Sequence, residues 1–346
     1  MKSLILLAAA LIAAPAMAQR KSGSPLDHLP ANIEPLTQFG ERADFSPDGR
    51  EIAFMNKSFG DAFVIDLATR KIRCLTCNVP GTAFLRVMHL ANGDYILIGP
   101  EHFTDIHTSR DRDNELWYLS KVKNSKPVRL GEKMSEGAAV SKTAMRIAVS
   151  ELPTQHPDVP AGGSRIMVMD IDLSGPAPKL TNRKQVHISD TNACTSEAQD
   201  YYDNDTKLTF VCYNHKDIPP QDDQYADVMS LDLKTGVATN MTQHGKSYNE
   251  VEGIFPDGKY TLVEADRQIE GSKLGGRRGS HNIDLWKLRL DGTGKDFVRM
   301  TDFNDYEGWK ASNPVVSRDS RYIAFQLAST KDEAGVGYGL LLYKLK

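Results

Sequence analysis

One phrase recurs along this chain: a short apolar run, a turn, and a second apolar run. The fullest copy is Asp44-Phe45-Ser46-Pro47-Asp48-Gly49-Arg50-Glu51-Ile52-Ala53-Phe54, and Ile254-Phe255-Pro256-Asp257-Gly258-Lys259-Tyr260 and Val316-Ser317-Arg318-Asp319-Ser320-Arg321-Tyr322 open two more. Weaker copies span residues 89–98, 140–149 and 201–210. Proline presets φ at the first turn position and Asp-Gly tolerates the left-handed conformation, so each phrase reads as a β-hairpin. A third strand-like run follows each hairpin, at 63–67, 116–119, 166–171, 228–233, 283–290 and 340–345. A fourth closes on a hydrophobe followed by Thr or Gly, at Leu75-Thr76, Leu130-Gly131, Leu180-Thr181, Met241-Thr242 and Met300-Thr301.

Only five fourth runs follow a third. The sixth stands at the other end of the chain, in Ile33-Glu34-Pro35-Leu36-Thr37, ahead of the first hairpin. Repeats that close into a ring use such a strand to complete the last sheet, which removes the open edge that a linear array would expose. Thr37 and Thr301 lie 264 positions apart, five steps of about 53 residues, a spacing suited to propeller blades. The sequence therefore predicts an all-β fold, a six-bladed β-propeller over 33–346 whose N-terminal strand completes the last blade. A β-sandwich or a pair of small barrels has no use for the orphan strand.

Composition narrows the partners. Lys plus Arg at 42 against Asp plus Glu at 45 gives a net charge of -3, so no nucleic-acid ligand is expected. The start reads as an address: Met1-Lys2-Ser3 is positive, residues 4–14 are apolar, and Ala16-Met17-Ala18 is a small-x-small cleavage site before Gln19. A membrane anchor needs about 20 apolar residues, and Gln19-Arg20-Lys21-Ser22 arrives too soon. The expectation is a signal peptide over 1–18 cut after Ala18, a linker over 19–32, and a periplasmic or secreted monomer with no membrane span after cleavage. Export favours oxidised thiols. Cys74 with Cys77 and Cys194 with Cys212 make two disulfide couples with no odd thiol. A redox-active Cys-x-x-Cys would want a helix start, and Cys74 ends a strand-like run instead. A four-cysteine zinc site lacks close spacing in its second pair.

The Ser-Pro-Asp-Gly hairpin, the aspartate-bearing third strands Val64-Ile65-Asp66-Leu67 and Ser230-Leu231-Asp232-Leu233, and the Leu-Thr close together resemble the TolB-type propeller repeat. The likeness covers residues 33–346 and concerns the propeller part of that family. It implies a periplasmic protein ligand for the loop-rich face, without extending to the family's own Tol-Pal partners. Propellers of the prolyl oligopeptidase family use similar repeats, but no Gly-x-Ser-x-Gly elbow is present.

Strand direction alternates within a blade, so the loops between second and third strands share one face with the loops entering the next blade. The long insertions 101–114, 154–163, 215–224, 268–281 and 329–337 fall on that face, while the short hairpin turns leave the other plain. Rigid scaffolds present binding residues on such loops. Histidines follow the same face, and His102, His156, His215 and His281, with Tyr248, are candidate catalytic residues. Histidines also favour loops on general grounds. No cofactor is predicted; a divalent metal has weak candidate ligands in His102, Asp105 and His107, whose spacing matches no standard zinc motif. The upper ends of the first strands carry charge, giving Arg42, Arg86, Glu197, Glu252, Lys310 and Asn313 as ligand-binding candidates beside Tyr201, Tyr248, Tyr306 and Trp309. Arg277 and Arg278 suit a carboxylate or phosphate.

Two functions follow. One is an exported propeller that binds a protein or glycan ligand through the loop-rich face and channel mouth. The alternative is a carbohydrate-active enzyme, a polysaccharide or oligosaccharide lyase using His, Tyr and Arg there. Oligogalacturonate lyases are the nearest propeller comparison. They place metal-binding Gln and His just before the closing hairpin, where this chain has residues 310–314, so the same metal site is not expected. Paired carboxylates for glycoside hydrolysis cannot be singled out among so many loop acids.

Overall fold

Ser46 shows why the hairpin phrase folds as it does. Its Oγ donates to Asp48 Oδ1 at 2.7 Å and accepts the amides of Arg50 and Glu51 at 3.1 and 2.9 Å, while Gly49 takes φ +70°. Ser317 repeats the arrangement with Asp319, Arg321 and Tyr322. The Leu-Thr close has an equally local cause. Thr76, Thr242 and Thr301 donate their hydroxyls to Asp61, Asp227 and Asp284 at 2.6, 2.5 and 2.9 Å. The fourth strand of a blade is thereby pinned to the start of its third.

A computed structural model describes residues 19–81, 83–189, 194–214, 218–220, 222–270, 277–332 and 335–345. The segment read as a signal peptide and the candidate His215 lie outside them. Six antiparallel four-stranded sheets form the blades. Blade 1 comprises Glu41–Phe45, Glu51–Met55, Ala62–Asp66 and Ile72–Cys74; blade 2 comprises Arg86–His89, Tyr95–Pro100, Asn114–Leu119 and Val128–Lys133. Blade 3 comprises Ala138–Val140, Arg146–Glu151, Ser164–Asp172 and Lys179–Ser189; blade 4 comprises Cys194–Tyr202, Lys207–Asn214, Tyr225–Asp232 and Ala238–Asn240. Blade 5 comprises Asn249–Ile254, Tyr260–Ala265, Asp284–Arg289 and Phe297–Arg299. Blade 6 is Trp309–Val316, Tyr322–Ser329 and Leu340–Lys344, closed by Ile33–Pro35 with Ile33 opposite Tyr343 and Pro35 opposite Leu341. The protein is a six-bladed β-propeller.

Two strand ends differ from expectation. The fourth strands of blades 2 and 3 run past Leu130 and Leu180 to Lys133 and Ser189. Glu115 faces Lys133 and Ser164 faces Ser189 across the ladder, so longer third strands draw their neighbours on.

The apolar core is annular. Six clusters occupy the six seams between neighbouring blades, among them Ala43, Phe45 and Ile52 against Leu340 and Leu342 where the chain ends meet. Side chains that face the axis instead of a seam have no apolar partner sheet, and there the sequence places charge. Both cysteine couples are bridged, Cys74–Cys77 and Cys194–Cys212, as an oxidising compartment allows. No helix among the described residues is long and apolar enough to cross a membrane.

Residues 19–32 are fastened to the connection between blades 5 and 6 and to the start of blade 6. Lys21 donates its amide to the Asp305 carbonyl at 2.7 Å and accepts from Glu307 at 2.9 Å; Gly23 accepts the Trp309 indole N–H at 3.1 Å. Arg20 reaches the Asn304 carbonyl and, at 3.1 Å, Asn282 Oδ1. Ser24 caps a short 3-10 turn, Pro25–His28, in which Pro25 is buried. The segment read as a linker docks as an ordered strap.

Candidate functional site

The first strands do not run straight past the axis. Their ladders slip between Glu41 and Asp44, between Ala198 and Asp200, between Val251 and Ile254, and between Ser312 and Val315. Each slip is a β-bulge, which leaves residues unpaired and re-aims side chains. The residues released are Arg42, Gln199, Glu252 and Asn313, and all four line one narrow cavity of about 60 Å³ on the axis, with Arg86 from blade 2 and Ala138 from blade 3. Arg42 and Asn313 sit at φ +55° and +48°, where a side chain is strained. Gly253 completes the bulge of blade 5: a Cβ there would lie 2.8 Å from Val315 Cα.

Above this waist the channel opens on the loop-rich face into a cavity of about 490 Å³ lined by all six blades. Its walls carry Asp111, Glu136, Glu197, Glu250, Glu264 and Asp332 against Arg42, Arg110 and Lys310. Arg42 pairs with Glu136 at 2.5 Å and Arg110 pairs with it at 2.7 Å. Burial opposes ionisation of Glu136, yet Arg110, Arg42 and Arg86 outweigh it and bring its pKa down to about 2. Across the mouth the balance reverses. Glu197 is pushed up to about 8 by burial and by Glu136 and Glu250, and Glu264 to about 8 by burial and Glu250. Burial, Glu264 and Glu250 drive Glu252 well above the usual carboxylate range. Carboxylate oxygens of Glu250, Glu252 and Glu264 lie within 4.8 Å of one another, close enough for one divalent cation to bridge them. Gly137 makes room for Glu197, since a Cβ there would overlap the Glu197 side chain at 2.0 Å.

Of the residues singled out in the sequence, Arg42, Glu197, Tyr248, His281, Lys310 and Asn313 line the mouth, and Arg86 and Glu252 line the waist. Tyr248 is buried and donates its hydroxyl to Glu250, as Tyr213 does at 2.5 Å. Burial together with neighbouring carboxylates raises both phenols well above their ordinary pKa. Lys310 donates to the Ser280 carbonyl at 2.9 Å, and burial lowers its pKa.

The other candidates lie elsewhere. His156 sits in the seam of blades 2 and 3, 2.7 Å from the Lys133 carbonyl and 3.6 Å from Glu151, inside an ion-pair network with Arg165 and Arg183. His102 stands exposed. Asp105 caps Thr108 at 2.9 Å, His107 faces the mouth, and the three form none of the close ligand groups among the described residues. Arg277 pairs with Asp223 at 2.5 Å, and Arg278 binds Asp266 and Ser247 at 3.0 and 2.5 Å, so both arginines are engaged by neighbouring loops. Tyr201 belongs to the opposite face, where the hairpin turns are less plain than their length suggests. They ring a 290 Å³ pocket with Pro47, His89, Lys142, Tyr202, Phe255 and Arg318. Trp309 holds the N-terminal strap and Tyr306 packs on Lys21.

Tyr213, Glu264 and Gln326 escaped the sequence reading. They lie in the C-terminal halves of second strands, opposite Thr195, Glu250 and Ser312 in the ladders. Polar residues interrupting or closing an otherwise apolar second-strand run were the available signal.

The fold and this axial site define a propeller with a charged channel. Comparison with solved structures gives its surroundings. A protein described as TolB from Agrobacterium tumefaciens superposes with TM-score 0.52 at 19% identity, covering 78% of this chain and 77% of that one. A gluconolactonase from Xanthomonas campestris gives 0.53 at 8%, covering 94% of each chain. An oligogalacturonate lyase in complex with manganese gives 0.50 at 15%, covering 90% and 79%. At these identities the likeness concerns the propeller fold, and the TolB resemblance holds at that level. Searches against family models and against curated proteins find no match.

Proposed function

We propose that this protein is an exported binding propeller that takes a polypeptide segment into the mouth on its loop-rich face. The observation that carries the reading is the composition of that mouth: six carboxyl groups against three Arg or Lys, contributed by all six blades around 490 Å³. With Glu136 paired to Arg42 and Arg110, and Glu197 and Glu264 raised to about 8, such walls are rich in hydrogen-bonding groups and favour a ligand that brings amide and neutral or basic groups. Glycan recognition leans on open aromatic faces, whereas Tyr248 and Tyr306 are buried here and the Trp309 ring packs edge-on with Tyr338 at 5.5 Å. Elimination chemistry calls for a histidine and a phenolate-forming tyrosine at one carbon. His107 and His281 face the mouth, but its tyrosines Tyr213 and Tyr248 donate to Glu250, and burial with neighbouring carboxylates opposes their ionisation.

The test has two arms. The mature protein is titrated against an immobilised library of basic and neutral peptides, and separately incubated with acidic polysaccharides while unsaturated uronate is followed by absorbance. Saturable peptide binding, weakened at least tenfold by Glu250→Lys, is expected, with no uronate product. Uronate release that disappears in His107→Ala or His281→Ala would overturn the proposal.

A further inference from the structure

Burying a polar group without a partner costs free energy, so a cluster of such groups around one void marks a place where a ligand completes the bonding. At the channel waist three residues leave donors in this state, and the Asp200 carboxyl, which also lines it, leaves Oδ1 so as well. Arg42 Nη1, Arg86 Nε and Gln199 Nε2 are buried, and among the described residues none has a hydrogen-bond partner. Their side chains come from blades 1, 2 and 4, the three residues are 7%, 9% and 9% exposed, and all line the same cavity of about 60 Å³. Every one of the three atoms is a donor.

Arg86 is the sharpest case. Arg42 shares its charge with Glu136 and Glu41, but Arg86 has no carboxylate within ion-pair distance among the described residues. The fold has also gone out of its way to build the place. Two of the four bulges deliver donors to it, Arg42 and Gln199, and a third delivers Asn313, whose Nδ2 reaches only as far as Glu252 at 3.4 Å. Opposite these donors blade 3 presents the small side chain of Ala138.

We infer that the waist is a carboxylate subsite, in which Arg42, Arg86 and Gln199 receive the C-terminal carboxylate of a polypeptide whose preceding residues fill the mouth. The inference rests on the peptide-binding reading and names the end of the chain that enters. A two-oxygen anion matches guanidinium donors from two sides, and a 60 Å³ space admits little more than a carboxylate group. An axial channel that narrows in this way accepts a chain terminus, because a residue in the middle of a polymer would have to double back. The walls above select further: Glu197 and Glu264, held toward their neutral forms by burial and by Glu250, offer hydrogen-bonding carboxyl groups that suit an uncharged residue next to the terminus. Glu252, on the far side of the waist, is held toward its neutral form by burial and by Glu264 and Glu250, which removes much of its repulsion of an incoming carboxylate.

The probes are N-acetylglycine, its amide N-acetylglycinamide, and galacturonic acid, each titrated into the intact protein by calorimetry and by thermal shift. N-acetylglycine is expected to bind at least tenfold more tightly than the amide, and Arg86→Gln is expected to abolish that difference. Arg86→Gln should stay folded, because Glu136, which Arg86 helps to keep ionised, retains its ion pairs with Arg42 and Arg110; Gln199→Leu serves as a second variant with the same expected loss. Equal binding of acid and amide, or unchanged affinity in Arg86→Gln, overturns the inference. A tenfold preference for galacturonic acid over N-acetylglycine overturns it in favour of a uronic acid. Library peptides that bind equally well with amidated C-termini leave the mouth reading standing and remove the subsite. Arg86-dependent binding of N-acetylglycine without any peptide binding does the reverse.

Discussion

Leu36 donates its amide to the carbonyl of Leu340 at 2.8 Å, so the two ends of the described chain are bonded within one blade. The contact is reinforced by Thr37, whose Oγ1 accepts the Leu340 amide at 2.9 Å, and by Ile33, which is buried in the seam of blades 5 and 6. Deleting residues 33–37 exposes the outer edge of Leu340–Lys344 and opens the ring. The expected result is a fall in melting temperature of roughly 10 °C or more, with increased aggregation through the bared edge. An unchanged melting curve would contradict closure.

The strap makes a separate prediction. Because Lys21, Gly23 and Arg20 bond to Asp305, Trp309 and Asn304, removing residues 19–27 costs about 1–3 kcal/mol in urea unfolding. Loss of the Trp309 indole bond should shift its fluorescence at the same time. A truncation indistinguishable from the chain that begins at residue 19 would reduce the strap to a passive tail.

Asp284 accepts from Thr301 Oγ1, from the amides of Phe303 and Asn304, and from Arg299. Asp284→Ala leaves the half-buried Arg299 guanidinium with Asp305 alone and strands two buried amides, and is expected to destabilise by about 3–5 kcal/mol. Thr301→Val removes one bond and should cost about 1 kcal/mol. Equal effects from the two substitutions in chemical denaturation would mean that Asp284 does not organise the corner.

The mouth predicts opposite pH dependences for two of its glutamates. A carboxyl raised to about 8 on folding, as Glu264 is, keeps its proton between about pH 4.5 and 8 where the unfolded chain has lost it, so stability falls across that window. Glu264→Gln mimics the protonated form: in chelator-containing buffer its melting temperature should match the parent near pH 5 and exceed it by a few degrees at pH 9. Glu136, lowered to about 2, contributes stability above its unfolded pKa and loses it as the pH falls toward 2. Glu136→Gln should therefore be less stable than the parent at pH 7, with the gap closing in acid. Parallel melting curves for either variant and the parent across the pH range would refute the assignment.

How much of this was readable in advance follows from the range of the forces involved. The Ser46 turn and the Thr301–Asp284 clasp are made by residues close in sequence, so their pattern repeats along the chain and betrays the blades. Ring closure was legible for a different reason: a strand unit missing at one end and spare at the other has one arrangement that leaves no bare edge. Arg42, Glu252 and Asn313 stood out as charge or amide on strands that should be apolar, whereas Arg277 and Arg278 looked free only because their acceptors Asp223 and Asp266 lie on other stretches of chain.

The sequence by itself determined the number of blades, the order of strands within them and the strand that joins head to tail, because local turns and alternating apolar runs specify those. Only the tertiary structure decided which polar atoms are left without partners. Whether Arg86 meets a carboxylate depends on side chains from blades tens of residues away and on four bulges whose slips are settled by packing around the whole ring. Coulomb and hydrogen-bond energies act through space, and the chain has to close before those distances exist.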